Sequence, residues 1–315
     1  MKRIVSVAPR AVDTPAETLR LAVAAATDAA GREENQDVAA ALALAGPAGD
    51  AGAQEFLLVV ADGMGGHPAG DVASRIALDT LTQAFPSLPE GDLGQALKQA
   101  YRQANEAIYA AGETEPAHAG MGTTLTSALL QGKYATVAHV GDSRAYLLRG
   151  DGITQVTRDH TVVSDEVTQG RISAEDAKAD PRRNMLTHAL GTHPKLDRTL
   201  PSIFELTLLP GDRLMLCSDG LYDVLDDADL RRALQAQDPG DAARALVALA
   251  NERGTRDNAS AVVAAAVPTR VPVTGTVPSP ATRTGGVPGF AIAAVIAVLL
   301  IVLLVLAVFI LGTPR

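Results

Sequence analysis

The sequence predicts an α+β fold in which antiparallel sheets are covered by helices. Two observations predict it. Strand-like runs follow one another across short turns, at 123–130, 134–140 and 144–149 and again at 203–209 and 213–217. Helical patterns come in pairs, at 69–84 with 93–111 and at 227–236 with 239–252. A doubly wound parallel sheet would interleave single strands with single helices instead.

In chain order, the first strand signal is the apolar run at 56–61, which ends on Asp62 and a glycine-rich turn, ADGMGGHPAG. In the helix expected at 69–84, Val72, Ala73, Ile76, Ala77 and Leu81 recur at helical spacing and mark one buried face. ATVAHV-GDS-RAYLL reads as a hairpin, two alternating runs joined at Gly141-Asp142-Ser143, and ELTLLPGDRLMLCS repeats that design around Pro210-Gly211-Asp212. Cys217, inside the second run of that pair, reads as core. Residues 157–200 contain helical fragments and turns but no strong strand, and irregular segments of that length in compact domains are often functional. A last strand signal falls at 258–267.

Composition narrows the function. Net charge is −9 with a pI near 5.1, whereas a nucleic-acid binder is usually basic. A single cysteine excludes an internal disulfide framework and a cysteine-rich zinc site. Aromatic residues make up 3% of the chain and tryptophan is absent, so aliphatic packing must build the core. The N-terminal stretch lacks the apolar segment of a signal peptide. At the other end, 290–311 is an unbroken apolar run of 22 residues. As a helix it would span the ~30 Å hydrocarbon layer of a bilayer. The expected organisation is an N-terminal extension at 1–20, a folded domain at 21–267, a Pro/Gly/Thr-rich linker at 268–289, a transmembrane helix at 290–311 and a short tail at 312–315. Without an export signal, the domain is expected on the cytoplasmic side of the cell membrane.

Five aspartates stand at the edges of apolar runs: Asp37, Asp62, Asp142, Asp219 and Asp257. Any one of them is explained by the liking of Asp for turns and helix caps. If the five strand ends converge, however, like charges destabilise one another unless cations neutralise them. An all-oxygen ligand set suits Mg²⁺ or Mn²⁺ rather than zinc. Two such ions ~4 Å apart can activate a water for attack on phosphorus. Arg32, five residues before Asp37, offers the bidentate cation that a phosphoryl group needs.

The motifs R-EE-NQD (32–37), ADGMGGHPAG (61–70), GTTLTSALL (122–130), VGDSRAYLLR (140–149), LCSDGLYD (216–223) and RDNAS (256–260) occur in an order that resembles the metal-dependent serine/threonine protein phosphatases of the type 2C, or PPM, family. The resemblance implies a four-layer α-β-β-α sandwich of two antiparallel sheets flanked by helix pairs. It also implies a binuclear Mn²⁺ or Mg²⁺ centre, with room for a third ion, and hydrolysis of phosphoserine and phosphothreonine in proteins. Carried over by position, Asp62 would bridge two ions and the Gly63 carbonyl would ligate one. Asp219 and Asp257 would complete the first ion, Asp37 would serve the second, and Asp142 would serve a third. Arg32 would bind phosphate, and 157–200 would be the variable flap beside the cleft. The implied partners are phosphorylated proteins and a bacterial Ser/Thr kinase whose work the enzyme reverses.

Two positions depart from the family pattern. Gln36 stands where many relatives have Glu, and Met64 stands where animal members carry a histidine proposed as general acid. His67 is three residues away, so that role does not transfer to it. The alternative is a catalytically weak PPM-fold scaffold at the membrane, against which all five aspartates and Arg32 weigh. A nucleotide-binding reading of the glycine-rich turn fails because the lysine of a P-loop is missing.

Overall fold

The computed structural model describes residues 18–45, 55–65 and 69–269. The expected linker from 270 onward, the apolar helix at 290–311, the tail at 312–315, residues 1–17 of the N-terminal extension and His67 lie outside the described residues. Among the described residues no helix is long and apolar enough to cross a membrane.

Two antiparallel sheets form the centre. One has the order β1 (Thr18–Asp28), β11 (Ala259–Thr269), β10 (Arg213–Cys217), β7 (Arg144–Arg149) and β8 (Gly152–Gln155). The other runs β2 (Asp37–Ala43), β3 (Glu55–Met64), β5 (Leu125–Gln131), β6 (Tyr134–Val140) and β9 (Ser202–Thr207), with the short β4 (Gly122–Thr123) paired to the end of β3. Helices α1 (Ala69–Ala84) and α2 (Leu93–Thr114) cover the second sheet. Helices α6 (Asp227–Leu234) and α7 (Pro239–Glu252) cover the first. Three short helices, α3 (Val162–Thr168), α4 (Ala174–Ala179) and α5 (Asp219–Tyr222), lie outside these pairs.

Period-two patterning sorts the side chains into three cores. In β3, Leu57, Val59 and Ala61 face α1 and α2, whereas Leu58 and Val60 face the other sheet. In β11, Ala261 and Val263 pack under α7, whereas Val262 and Ala264 meet Leu58 and Val60 between the sheets. Tyr101 is the largest fully buried side chain among the described residues, its hydroxyl donating to the Ala138 carbonyl at 2.7 Å. Cys217 is fully buried, as expected of a core residue.

The two expected hairpins are corrected. Gly141-Asp142-Ser143 joins β6 to β7, and Pro210-Gly211-Asp212 joins β9 to β10, but each turn carries the chain from one sheet to the other. At the first turn β6 already pairs with β5 and β9, so β7 finds no free edge there; at the second, β9 is an edge strand, and β10 instead takes its place between β7 and β11 in the other sheet. The first crossover lies at the end of the sandwich where β3 finishes. The second lies at the opposite end, where Arg149 grips Asp212 at 2.6 Å.

Candidate metal centre

Five chain segments bring carboxylates to one end of the sandwich. In the β2–β3 ladder Asp37 lies directly opposite Asp62. Asp142 occupies the first crossover, Asp219 opens α5 at the end of β10, and Asp257 stands just before β11. Arg32, Asp62, Gly63, Asp142, Asp219 and Asp257 all line one cleft of about 510 Å³. Asp37 is buried behind Asp62, its Oδ2 accepting from Ser218 Oγ at 2.6 Å. The structure therefore brings every sequence-predicted site residue together.

Two glycines make the convergence possible. A Cβ on Gly63 would collide with the Gly70 carbonyl at the start of α1 and lie 2.9 Å from the Gln36 carbonyl. A Cβ on Gly220 would collide with the Asn258 carbonyl. Only bare backbone lets α1 and α5 approach the strand ends this closely.

Sequence reasoning missed the residues that hold the carboxylates in place. Asn258 accepts from Gln36 N at 2.8 Å and donates to the carbonyls of Ala29 and Glu34, which staples the loop carrying Arg32 to the start of β11. Thr123 and Thr124 fix the Asp62 backbone: Thr124 Oγ1 accepts from Asp62 N, and Thr123 Oγ1 donates to its carbonyl, both at 2.9 Å. Thr124 also meets Ser143, next to Asp142, at 2.7 Å. His160 clamps the same crossover, its backbone N donating to Gly141 O at 2.7 Å while its Nδ1 accepts from Gly141 N at 3.2 Å. Burial, and then His188 nearby, push the His160 pKa down to about 4, so the ring is neutral and Nδ1 is free to accept. The signal for the threonines was the alternation in GTTLTS; Asn258 had none beyond its place in RDNAS.

The site is electrostatically frustrated as it stands. Burial raises the Asp62 pKa well above the carboxylate range, and the charges of Asp37, Asp219, Asp142 and Asp257 raise it further. Asp37 and Asp219 are raised by the same two causes, burial first. Asp142 is pushed up to about 8, by burial and then by Asp219 and Asp159. Asp37 Oδ1 and Asp219 Oδ1 are buried without any hydrogen-bond partner. Unpaired buried carboxylate oxygens are costly unless a cation or proton satisfies them. Among the described residues no three His, Cys, Asp or Glu side chains are gathered tightly enough to ligate one ion by themselves. The oxygens available at the cleft are carboxylates and backbone carbonyls, the Gly63 carbonyl among them. That chemistry fits Mg²⁺ or Mn²⁺, which keep several waters and prefer oxygen.

A pH dependence follows with a definite sign. These carboxylates have folded-state pKa values raised above their unfolded value of 3.8. Their contribution to stability is complete below that value and is lost as pH rises through the folded-state range, about 8 for Asp142. In EDTA the melting temperature should fall between pH 6 and pH 9, and Mn²⁺ should raise it more at the higher pH, since binding displaces protons. A gain from Mn²⁺ that is equal at both ends of the range would contradict this electrostatic picture.

Arg32 is not a lone cation facing an empty cleft. Its Nη2 pairs with Asp257 Oδ2 at 2.7 Å and its Nε donates to the Arg256 carbonyl at 2.9 Å. The 157–200 segment closes over the cleft more than sequence patterning shows: Leu190 and Thr123 exchange backbone hydrogen bonds at 2.9 and 3.1 Å, and Asn184 and Leu186 reach the cleft lining.

Comparison with known proteins agrees with this geometry. The family model for protein phosphatase 2C matches residues 29–259. The chain belongs to the protein phosphatase 2C family. It is 43% identical over 208 residues to the serine/threonine protein phosphatase PstP of Mycobacterium tuberculosis, covering 66% of this chain but only 40% of that protein. It is 36% identical over 207 residues to the serine/threonine phosphatase stp of Listeria innocua, covering 64% of this chain and 81% of the relative. The crystal structure of the Mycobacterium tuberculosis phosphatase PstP/Ppp superposes with a TM-score of 0.70 at 39% identity, over 79% of this chain and 99% of that one. A structure of the PstP catalytic domain in complex with two manganese ions matches with a TM-score of 0.68, also at 39% identity, over 79% of this chain and all of the other. The phosphatase 2C fold, two antiparallel sheets with covering helices, is thus common to this chain and its relatives.

Proposed function

We propose that this chain hydrolyses phosphoserine and phosphothreonine esters in proteins, using two divalent cations and opposing a Ser/Thr kinase. The observation that carries the reading is the convergence of Asp62, Asp142, Asp219, Asp257 and Arg32 on one cleft with Asp37 buried behind it, and with carboxylate oxygens of Asp37 and Asp219 buried and unpaired. Asp62 would bridge the ions and the Gly63 carbonyl would ligate one of them. Asp219 and Asp257 would serve the first, Asp37 the second, and Asp142 a third. The two manganese ions bound by the relative's catalytic domain support a divalent-cation centre here. When bound, the cations supply charge neutralisation and a water of lowered pKa.

The chain's own residues do the rest. Asp257 holds the Arg32 guanidinium at the mouth of the cleft, where its N–H groups would take a phosphoryl oxygen pair. Met64 lines the cleft and has no proton to give, and none of the described lining residues is a histidine. In this reading water supplies the proton needed by the leaving seryl or threonyl oxygen. Manganese-dependent release of phosphate from a phosphothreonine peptide, with little from a phosphotyrosine peptide, is the expected result. Equal turnover of both would contradict the substrate class.

Replacing Arg32 separates phosphate binding from metal binding. Arg32→Ala should raise KM for phosphosubstrates about tenfold or more, since a charge-assisted hydrogen bond contributes ~1.5–3 kcal/mol. Mn²⁺ affinity should stay equal or rise, because Asp257 loses a competing partner. Calorimetry showing weakened Mn²⁺ binding would refute the assignment.

We also propose that the apolar run at 290–311 anchors the domain to the cell membrane, with the catalytic cleft on the cytoplasmic side. Twenty-two apolar residues suffice to span a bilayer, and the Pro/Gly/Thr-rich stretch before them gives a reach of roughly 25 Å for about twenty residues. The substrates require a kinase and ATP, which places their turnover inside the cell. Protease added outside intact cells should leave the domain whole and should cut it in inverted vesicles; cleavage in intact cells would overturn the orientation.

A further inference from the structure

Two of the cleft carboxylates reach it from different connections. Asp142 sits in the crossover from β6 to β7, and Asp219 opens α5 at the end of β10. After burial, the charge of Asp219 is the next cause that raises the Asp142 carboxyl. Like charges push the segments that carry them apart unless the backbones are fixed by other means. Helix α5 cannot do this alone. It has four residues, a single turn closed by Asp223 N donating to the Asp219 carbonyl at 3.0 Å, and so short a helix depends on tertiary support.

That support comes from Tyr222, the last residue of α5. Its hydroxyl donates to the Asp142 carbonyl at 3.1 Å, and the Arg144 guanidinium lies 3.6 Å over its ring. Arg144, two residues beyond Asp142, is itself fixed. It is bidentate to Asp159, with a closest approach of 2.7 Å, and donates to the Tyr146 hydroxyl at 3.0 Å. The crossover thus holds Tyr222 by both its ring and its hydroxyl. Burial, and then the charge of Asp142, push the Tyr222 hydroxyl well above its ordinary value, so it keeps the proton that it donates. On its other side α5 is seated against Asn258, whose carbonyl a Cβ on Gly220 would strike. One turn of helix is therefore gripped from two directions, and Asp219 is carried by it.

We propose that Tyr222 is a positioning residue of the metal centre: its hydroxyl ties α5 to the crossover and so holds Asp142 in place beside Asp219. The inference rests on the phosphatase reading with its divalent cations. Tyr222 is not among the residues lining the cleft, so it acts through the Asp142 backbone and not by touching substrate.

The test measures Mn²⁺ binding to the full chain from the paramagnetic resonance of the free ion, independently of turnover. Asp142→Asn identifies the site that Asp142 serves as the step it removes from the isotherm. Tyr222→Phe keeps the ring under Arg144 and removes only the hydroxyl. It should weaken that same step by about three- to tenfold, the range of one neutral hydrogen bond, and leave the other steps within about twofold. Added to Asp142→Asn, it should cause no further loss. Tyr146→Phe is the matched control, since it takes a hydroxyl from the same guanidinium without touching the Asp142 carbonyl, and its isotherm should equal that of the unaltered chain. A lower melting temperature in EDTA for Tyr222→Phe with an unchanged isotherm would make the hydroxyl a packing group only and overturn the proposal. A loss shared equally by all steps, an equal loss in Tyr146→Phe, or an isotherm that Asp142→Asn leaves unaltered would overturn it too. An unaltered chain that binds no Mn²⁺ would instead defeat the phosphatase reading, and this inference with it.

Discussion

Asp219→Asn should lower Mn²⁺-dependent turnover by about 10²-fold or more and, in EDTA, leave the domain as stable as before or more so. The loss corresponds to ~2.7 kcal/mol of transition-state stabilisation and follows from removing a negative ligand from the metal centre. The stability expectation has the opposite sign for a reason visible in the site. Asp219 is half-buried, its buried Oδ1 has no partner, and Asp257 and Asp223 repel its charge. An amide removes that repulsion. Turnover with Mn²⁺ and melting in EDTA at pH 8 should therefore move in opposite directions. A variant that melts well below the unaltered chain in EDTA would show that the carboxylate is a structural group and not one waiting for a cation.

Gly63→Ala should be as damaging through a different route. The added methyl would run into the Gly70 carbonyl and press on the Gln36 carbonyl at 2.9 Å, so α1 or the Asp37 strand must shift. Overpacking of this kind costs about 1–3 kcal/mol, and the shift displaces Asp37 and Asp62 together, so Mn²⁺ affinity should fall as well. Gly152→Ala is the matched control, since its nearest neighbour, the Arg149 carbonyl, would lie 3.6 Å from the new Cβ. Denaturant titration and calorimetry should show loss in the first variant and a change within about 0.5 kcal/mol in the second. Wild-type Mn²⁺ affinity in Gly63→Ala would contradict the close-approach argument.

The layers of this fold were legible because its buried faces repeat at the right periods. FLLVV at 56–60 and the spacing of Val72, Ile76 and Leu81 declare a strand and the helix that covers it. Strands β1 and β2 were not legible. LRLAVAAATD and DVAAALA are rich in alanine and leucine, which favour helix locally, and they are strands because β11 and β3 offer them edges. The misread hairpins have a similar cause. A short Gly-Asp-Ser turn looks the same in sequence whether the chain folds back in one sheet or crosses to another, and the neighbours of β6 decide.

At the site, the charged residues announced themselves and their supports did not. Five aspartates at strand edges are conspicuous, because each carries a charge that an apolar run does not need. Asn258, Thr124 and His160 act through hydrogen bonds to backbone groups whose positions exist only in the folded chain. The pairing of Arg32 with Asp257 spans 225 positions of sequence and was equally invisible.

The central claim is that the clustered carboxylates exist to hold divalent cations that power phosphate ester hydrolysis. The most direct test strips the full chain with EDTA and titrates Mn²⁺ back while following both p-nitrophenyl phosphate hydrolysis and melting temperature. Activity should be absent at the start and should rise with the same Mn²⁺ dependence as the melting temperature, because one set of sites governs both. Full activity in EDTA, or a melting temperature that ignores Mn²⁺ while activity responds to it, would contradict the account.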